Sequence, residues 1–90
     1  MAVEVYVPTV LQKYTNGQRI LSYNDDTVGA LISSIDNDYP GFREQIMENG
    51  EMRRFVNIFL NDEDIRFLKA MDTVIHDGDT LAILPALAGG

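Results

Sequence analysis

Ninety residues are enough for one domain with one core, and two domains of half this length would each lack sufficient core. The chain is 46% hydrophobic and 23% charged, which is the balance of a folded globular protein. Fourteen acidic and seven basic side chains give a formal charge of -7, which disfavours nucleic acid and anionic membranes as partners. The charge favours basic protein partners, and it is explained equally well by solubility alone.

Several classes of site are excluded by residues that the chain does not contain. Without cysteine there is no disulfide, no thiolate metal site and no cysteine nucleophile. His76 is the only histidine and lacks partners for a metal site or a triad, and residues 62–64 lack the spacing of a calcium loop. We therefore expect no metal site, no bound cofactor and no catalytic residues. The chain also has no leader pattern and no apolar run near the roughly 18 residues of a membrane span, so we expect a cytoplasmic protein.

The first third of the chain predicts two strands. Valines at alternate positions in residues 3–7 predict a strand with one buried face. Residues 10–14 are compatible with one helical turn, and Asn16-Gly17 predicts a tight turn. A second strand over residues 18–23 would complete a hairpin with a wide loop.

A helix is predicted next. Residues 24–27 supply capping side chains, and Pro40-Gly41 ends the helical pattern. Residues 42–47 predict a short second helix and residues 48–51 a polar loop. The main helix has an apolar stripe at helical spacing, formed by Val28, Leu31, Ile32, Ile35 and Tyr39.

The second half predicts the rest of a sheet. Residues 55–60 are rich in β-branched and aromatic side chains, and a turn at residues 61–64 leads into a short strand over residues 65–67. After a connecting segment and a turn at residues 76–79, residues 80–84 predict the last strand. A right-handed crossover through the helix would place the first and last strands side by side. We therefore predict a single α+β domain over residues 1–90, a ubiquitin-like β-grasp with a mixed sheet of about five strands on one main helix.

The chain ends in a segment with distinctive chemistry. Residues 85–90 follow the last strand directly and should leave the sheet as an extended arm with an exposed terminal carboxylate. Gly89 and Gly90 lack a Cβ, so their backbone can enter a narrow channel in a partner. A free carboxylate is a poor electrophile, and a role for Gly90 requires an activating enzyme, most simply one that uses ATP to form an acyl-adenylate.

Two sets of side chains are candidates for partner binding. In residues 55–60 only one alternating set can face the helix, and we expect Val56, Ile58 and Leu60 to be that set. Phe59 would then lie exposed on the open face of the sheet as a docking residue. The arginines at positions 53, 54 and 66 could pair with a partner or with the chain's own carboxylates, and the sequence does not decide.

Four segments resemble the ubiquitin-like sulfur-carrier proteins of the MoaD/ThiS family, and most closely its cysteine-synthesis branch, CysO. The resemblance extends from Val3 to Gly90 and is densest from Arg54 onward. The segments are Arg54-Phe55-Val56-Asn57-Ile58, Asn61-Asp62-Glu63-Asp64-Ile65-Arg66-Phe67, Asp77-Gly78-Asp79-Thr80 and Ile83-Leu84-Pro85-Ala86-Leu87-Ala88-Gly89-Gly90.

The resemblance implies a carrier that partner enzymes act upon. An E1-like enzyme of the MoeB/ThiF type would use ATP to adenylate Gly90, and sulfur would replace AMP to leave a thiocarboxylate. Pro85, Ala86, Leu87, Ala88 and Gly89 would enter the partner's active site. In the cysteine branch a PLP-dependent cysteine synthase accepts the sulfur, and a metal-dependent peptidase releases cysteine.

Three alternatives remain open at the level of the sequence. The chain could be the small subunit of molybdopterin synthase, with a pterin precursor as the sulfur acceptor. It could be a protein modifier that forms isopeptide bonds through Gly90. It could also be a passive interaction module whose Gly-Gly end has no role.

Overall fold

The computed structural model describes residues 2–85. Two α-helices and three short 3₁₀ helices connect the strands; the α-helices are α1 (Val28–Asp38) and α2 (Phe42–Ile46), and the 3₁₀ helices are Thr9–Thr15, Ile65–Phe67 and Ala70–Asp72. The strands are β1 (Val3–Tyr6), β2 (Ile20–Tyr23), β3 (Met47–Glu48), β4 (Glu51–Met52), β5 (Val56–Leu60), β6 (Glu63–Asp64) and β7 (Thr80–Pro85).

Five of the strands form one mixed sheet in the order β2-β1-β7-β5-β6. The first and last strands, β1 and β7, are parallel neighbours, with Val5 opposite Leu81, and the other neighbouring pairs are antiparallel. The expected β-grasp, with a mixed sheet on one main helix, is confirmed. Strand β7, the last strand in the sequence, therefore lies in the middle of the sheet, between β1 and β5.

Helix α1 begins and ends close to the predicted positions. The Thr27 Oγ1 accepts a hydrogen bond of 3.1 Å from the N–H of Ala30, which satisfies one of the free donors of the first turn. Tyr39 closes the helix as its C-cap residue, and it is partly buried against the core. The apolar stripe of α1 is buried as predicted, with Val28, Leu31, Ile32 and Ile35 all 0% exposed.

The core lies between α1 and one face of the five-stranded sheet. That face contributes alternate residues, because side chains in a strand point to opposite sides of the sheet. Each large apolar side chain buried here stabilises the fold by about 1.5–3 kcal/mol relative to an exposed one. The sheet residues of the core are Val3, Val5, Leu21, Val56, Ile58, Leu81 and Ile83.

The prediction of a polar loop over residues 48–51 is wrong. Residues Met47–Glu48 and Glu51–Met52 pair as a small antiparallel hairpin. Asn49 and Gly50 form its turn with φ angles of 54° and 79°. Both angles lie in the left-handed region that two-residue hairpin turns require, and Asn-Gly is the pair that adopts it most readily.

The predicted strand over residues 65–67 is also wrong. Asn61 and Asp62 complete the turn, with φ angles of 49° and 73°, and the returning strand is β6 at residues 63–64. The chain then turns into the 3₁₀ helix Ile65–Phe67, where the Asp64 Oδ1 accepts a hydrogen bond from the Arg66 N–H. This earlier bend buries Ile65 in the core and leaves Phe67 84% exposed.

The remaining segments are short connections. The helical turn expected at residues 10–14 is a 3₁₀ helix at Thr9–Thr15, and the connecting segment after Leu68 contains another at Ala70–Asp72. Within residues 2–85, no helix has both the length and the apolar character to cross a bilayer.

Candidate functional site

The site begins where β7 ends. Pro85 is paired with Val56 of β5, so it belongs to the sheet and not to the tail as predicted. The predicted tail therefore loses Pro85 to the sheet. The remaining predicted tail residues, Ala86, Leu87, Ala88, Gly89 and Gly90, lie outside the described residues.

The exit of the chain from the sheet, at Pro85, is held by β5. On one side β1 runs parallel to β7 only up to the pair of Tyr6 and Ala82. On the other side β5 pairs along its whole length, from Leu60 opposite Leu81 to Val56 opposite Pro85. Leu81 and Ile83 are at most 1% exposed. The position of Pro85 is thus set by the register of β5 and β7.

An apolar row crosses the open face of the sheet close to this exit. Cross-strand partners share one face of a sheet, so the pairs of Tyr6 with Ile20, Tyr6 with Ala82, and Ala82 with Phe59 align four side chains. We call Ile20, Tyr6, Ala82 and Phe59 the open-face row. Ile20 is 49% exposed and Tyr6 is 41% exposed.

Phe59 lies on the open face, since Val56 and Ile58 of the same strand are buried against α1. Phe59 is, however, half-buried among its neighbours, whereas the sequence predicted an exposed side chain. Its docking role stays a prediction.

The sequence analysis missed the other exposed members of this face. Leu84, two residues beyond Ala82 on the same face, is 49% exposed. The signal for it was present: Ile83 and Leu84 are adjacent and apolar, so only one of them can point to the core. The same argument applies to Ile20 and Leu21. The open face therefore has apolar side chains on each of its four longer strands.

Three arginines near the start of β5 have different environments. Arg53 forms an ion pair with Glu48 at 3.3 Å. Arg54 is exposed, and no hydrogen bond or ion pair joins it to another residue between positions 2 and 85. The pairing that the sequence left open is thus resolved differently for each arginine.

Arg66 acts as a clamp on the start of β5. Its guanidinium donates hydrogen bonds to the Asn57 Oδ1 at 2.7 Å, the Val56 carbonyl at 2.6 Å and the Arg53 carbonyl at 3.0 Å. All three acceptors are uncharged, so the positive charge of Arg66 is not cancelled by them. Asn57 is the cross-strand partner of Leu84. A cation therefore lies beside the last open-face residue before the tail.

The turn before β7 contains His76. The His76 N–H donates to the Asp79 Oδ2 at 2.8 Å, and the imidazole is exposed. Among residues 2–85 no group of three or more potential ligand side chains could hold a metal ion. The hydrogen bond from Asn61 and that from the His76 N–H together lower the pKa of Asp79 below its ordinary value. This turn serves to start β7 in register.

The chain is similar to known carriers over its whole length. Residues 5–90 match the sequence model of the ThiS family. The sulfur carrier protein CysO of Mycobacterium tuberculosis is 47% identical over 93 residues, which cover 100% of both chains. The crystal structure of that CysO superposes with a TM-score of 0.90 at 45% identity, over 94% of this chain and 99% of the other.

Two further similarities extend the comparison. CysO in a crystal structure of the BexX/CysO complex of Amycolatopsis orientalis has a TM-score of 0.94 and 37% identity, over 99% of this chain and 100% of that one. Small archaeal modifier protein 3 of Haloferax volcanii is 34% identical over 67 residues, 74% of this chain and 73% of its own. The family match and the full-length similarity to CysO show that the chain belongs to the ThiS family, and it is a sulfur carrier and not an enzyme.

Proposed function

We propose that Gly90 is the sulfur-carrying residue and that it passes through two activated states. In the first step its carboxylate oxygen attacks the α-phosphate of ATP in an activating enzyme, which forms an acyl-adenylate and releases pyrophosphate. In the second step hydrosulfide attacks the Gly90 carbonyl and expels AMP. The resulting thioacid loses its proton, and the chain ends in a thiocarboxylate.

The end of β7 is the observation that best supports this proposal. The sheet holds the chain up to Pro85, and five residues remain, ending in Gly89 and Gly90. Five extended residues reach about 17 Å at about 3.3 Å per residue. That length allows the terminal carboxylate to enter a buried active site while the folded domain stays outside.

ATP would be consumed at the activating enzyme, so the carrier itself needs no bound cofactor. The chemistry also agrees with the absence of cysteine from the chain, because no thiol of its own can capture the activated Gly90. Consumption of ATP is consistent with the cytoplasmic location expected from the sequence.

The acceptor that we propose is an activated serine derivative on a PLP-dependent synthase, which makes the product cysteine still joined to Gly90. A metal-dependent peptidase would then release the cysteine. The similarity to CysO over the full length of the chain supports this branch over the molybdopterin branch. The complex of a related CysO with BexX supports docking of such a carrier on a separate protein.

Conjugation to proteins is a second candidate function. The 34% identity to a small archaeal modifier protein over 74% of the chain favours it. In that case a lysine amine, and not sulfur, would attack the activated Gly90 and form an isopeptide bond. Conjugates of higher mass that disappear when Gly90 is deleted would distinguish this function from sulfur transfer.

Exchange of radiolabelled pyrophosphate into ATP tests the first step. The full-length chain should support exchange with its activating enzyme, and a chain without Gly90 should not. Equal exchange with both chains would exclude Gly90 as the activated residue.

A further inference from the structure

Charged side chains are distributed unevenly between the two ends of the five-stranded sheet. We define the tail end as the end where β7 finishes at Pro85, and the far end as the end where β7 begins at Thr80. The parallel strand β1 also finishes at the tail end, while β2 and β5 begin there. Each segment that precedes or follows one of these strands can therefore be placed at the tail end or at the far end of the sheet.

The far end is acidic. Glu63 begins β6, and five more acidic residues lie in the segments that follow β2, join β5 to β6, or precede β7, namely Asp25, Asp26, Asp62, Asp77 and Asp79. They account for much of the excess of negative charge in this chain.

The tail end carries arginines as well as acidic residues, and Glu48 and Glu51 line the same surface cavity as Arg54. Arg19 directly precedes β2, and its carbonyl accepts a hydrogen bond of 2.8 Å from the N–H of Val7, just beyond β1. Arg54 lies two residues before Val56, the partner of Pro85, and Arg66 binds the start of β5. We call Arg19, Arg54 and Arg66 the cationic collar of the tail exit.

The charges of the collar are available to a partner. Arg54 is exposed and unpaired within residues 2–85, and the Arg66 side chain donates its hydrogen bonds to an amide oxygen and two backbone carbonyls. Arg53, by contrast, is already paired with Glu48 and is left out of the collar. Uncompensated guanidinium groups beside an apolar surface favour a partner that offers carboxylates around an apolar centre.

We propose that the cationic collar binds carboxylate side chains at the entrance of the activating enzyme's tail channel and that it orients the carrier so that its tail enters first. This inference rests on the proposed function. The collar lies at the origin of the tail, up to about 17 Å from the Gly90 carboxylate when the five residues are extended. Its arginines are therefore specificity and docking residues that do not touch the reacting atoms.

The activating enzyme is the partner for which such a device matters most. Its site holds ATP, a multiply charged anion, and it must admit a carrier that is itself strongly negative. Long-range repulsion between the enzyme and the carrier would slow their association. A local cationic patch that faces carboxylates selects the productive orientation and speeds association. The acidic far end is directed away from the partner in this orientation.

The test is steady-state pyrophosphate exchange with the full-length carrier as the varied substrate. Arg54→Glu reverses one charge of the collar at an exposed position. Arg43→Glu makes the same change of net charge at an exposed position on α2, outside the five-stranded sheet. Arg54→Lys retains the charge with a different shape. Thermal unfolding of each variant shows whether the fold is kept.

We expect Arg54→Glu to raise the KM for the carrier about fivefold or more with kcat unchanged, and Arg43→Glu and Arg54→Lys to stay within about twofold of the parent. Raising the ionic strength from about 0.01 M to about 0.15 M, which shortens the screening length from about 30 Å to about 8 Å, should reduce the difference in kcat/KM between the parent chain and Arg54→Glu.

Equal KM values for Arg54→Glu and Arg43→Glu would overturn the inference. So would a fall in kcat with KM unchanged, or a defect that appears only in the later transfer of sulfur to an acceptor. Absence of exchange with the unmodified chain would overturn the proposed function itself, and the collar's role would fall with it. The two failures are therefore distinguishable.

Discussion

Asn61 and Asp79, 18 residues apart in sequence, are joined by a hydrogen bond of 2.9 Å from the Asn61 Nδ2 to the Asp79 Oδ1. The Asn61 Oδ1 also accepts from the Thr80 N–H at 2.9 Å, so the turn after β5 is fastened to the start of β7. This contact fixes the start of the central strand, β7. The start and the length of β7 together determine where the sheet ends and the tail begins.

The Asn61 contact predicts a pH dependence of stability. Hydrogen bonds from Asn61 and from the His76 N–H lower the pKa of Asp79 in the folded state below its ordinary value of about 3.9. The stabilisation is therefore complete above that ordinary value and is lost as the pH falls through the lower folded-state pKa. Urea unfolding should show Asp79→Asn to be less stable than the parent at pH 7, with the difference shrinking on acidification.

Asp72→Asn is a suitable control for this experiment, because Asp72 lies exposed in the 3₁₀ helix Ala70–Asp72. We expect the stability difference of that variant to change little with pH. A pH-independent difference for Asp79→Asn would contradict the role of the Asn61 contact.

The open-face row predicts an effect of Phe59→Ala on docking. Phe59 is half-buried in the row, and truncating an aromatic anchor at an interface typically costs more than about 1 kcal/mol. We expect the affinity for the activating enzyme, measured by calorimetry, to fall about tenfold, which corresponds to about 1.4 kcal/mol.

Phe67 offers a matched control for Phe59. It is a phenylalanine that is 84% exposed and lies outside the row. Phe67→Ala should leave the affinity within about twofold of the parent. Unchanged affinity for Phe59→Ala, in a variant that unfolds at the same temperature as the parent, would remove Phe59 from the docking surface.

The small hairpin at residues 47–52 predicts a conformational requirement at Gly50. Gly50 has a φ of 79°, where an L-residue other than asparagine or aspartate is strained by about 1–2 kcal/mol. Gly50→Ala should therefore lower the free energy of unfolding by about that amount, measured by urea denaturation. Gly50→Asn should recover part of the loss, and two equally destabilised variants would argue against backbone strain as the cause.

The packing of α1 predicts the cost of a small core deletion. Ile35 is 0% exposed, and Ile35→Val removes one buried methylene at an expected cost of about 0.5–1.5 kcal/mol in the free energy of unfolding. Val10→Ala, at a position that is 58% exposed, should change it by less than about 0.5 kcal/mol. A larger effect at Val10 than at Ile35 would contradict the assigned core.

The parts of the fold that follow from periodicity were predictable. The stripe of α1 and the alternation in β1 need only the spacing of apolar residues, and the structure buries them accordingly. The short segments were less predictable, because tertiary contacts decide them. Residues 65–67 have the composition of a strand, yet the two-residue turn at Asn61 and Asp62 ends the hairpin early and lets Ile65 fill the core.

The chemistry of the candidate site comes from the sequence, and its surroundings come from the structure. The roles of Gly89 and Gly90 stay predictions, because both residues lie outside residues 2–85. The clamp of Arg66 is not visible, because its acceptors lie 9, 10 and 13 residues away and meet it only through the turn after β5. The collar therefore required the structure.

The most direct test of the central claim is the intact mass of the chain after incubation with an activating enzyme, ATP and sulfide. The full-length chain should gain the mass difference between one sulfur and one oxygen atom, and fragmentation should place the gain at Gly90. A chain lacking Gly90 should gain nothing. Formation of the adenylate on the full-length chain without any gain of sulfur would contradict sulfur carriage at Gly90.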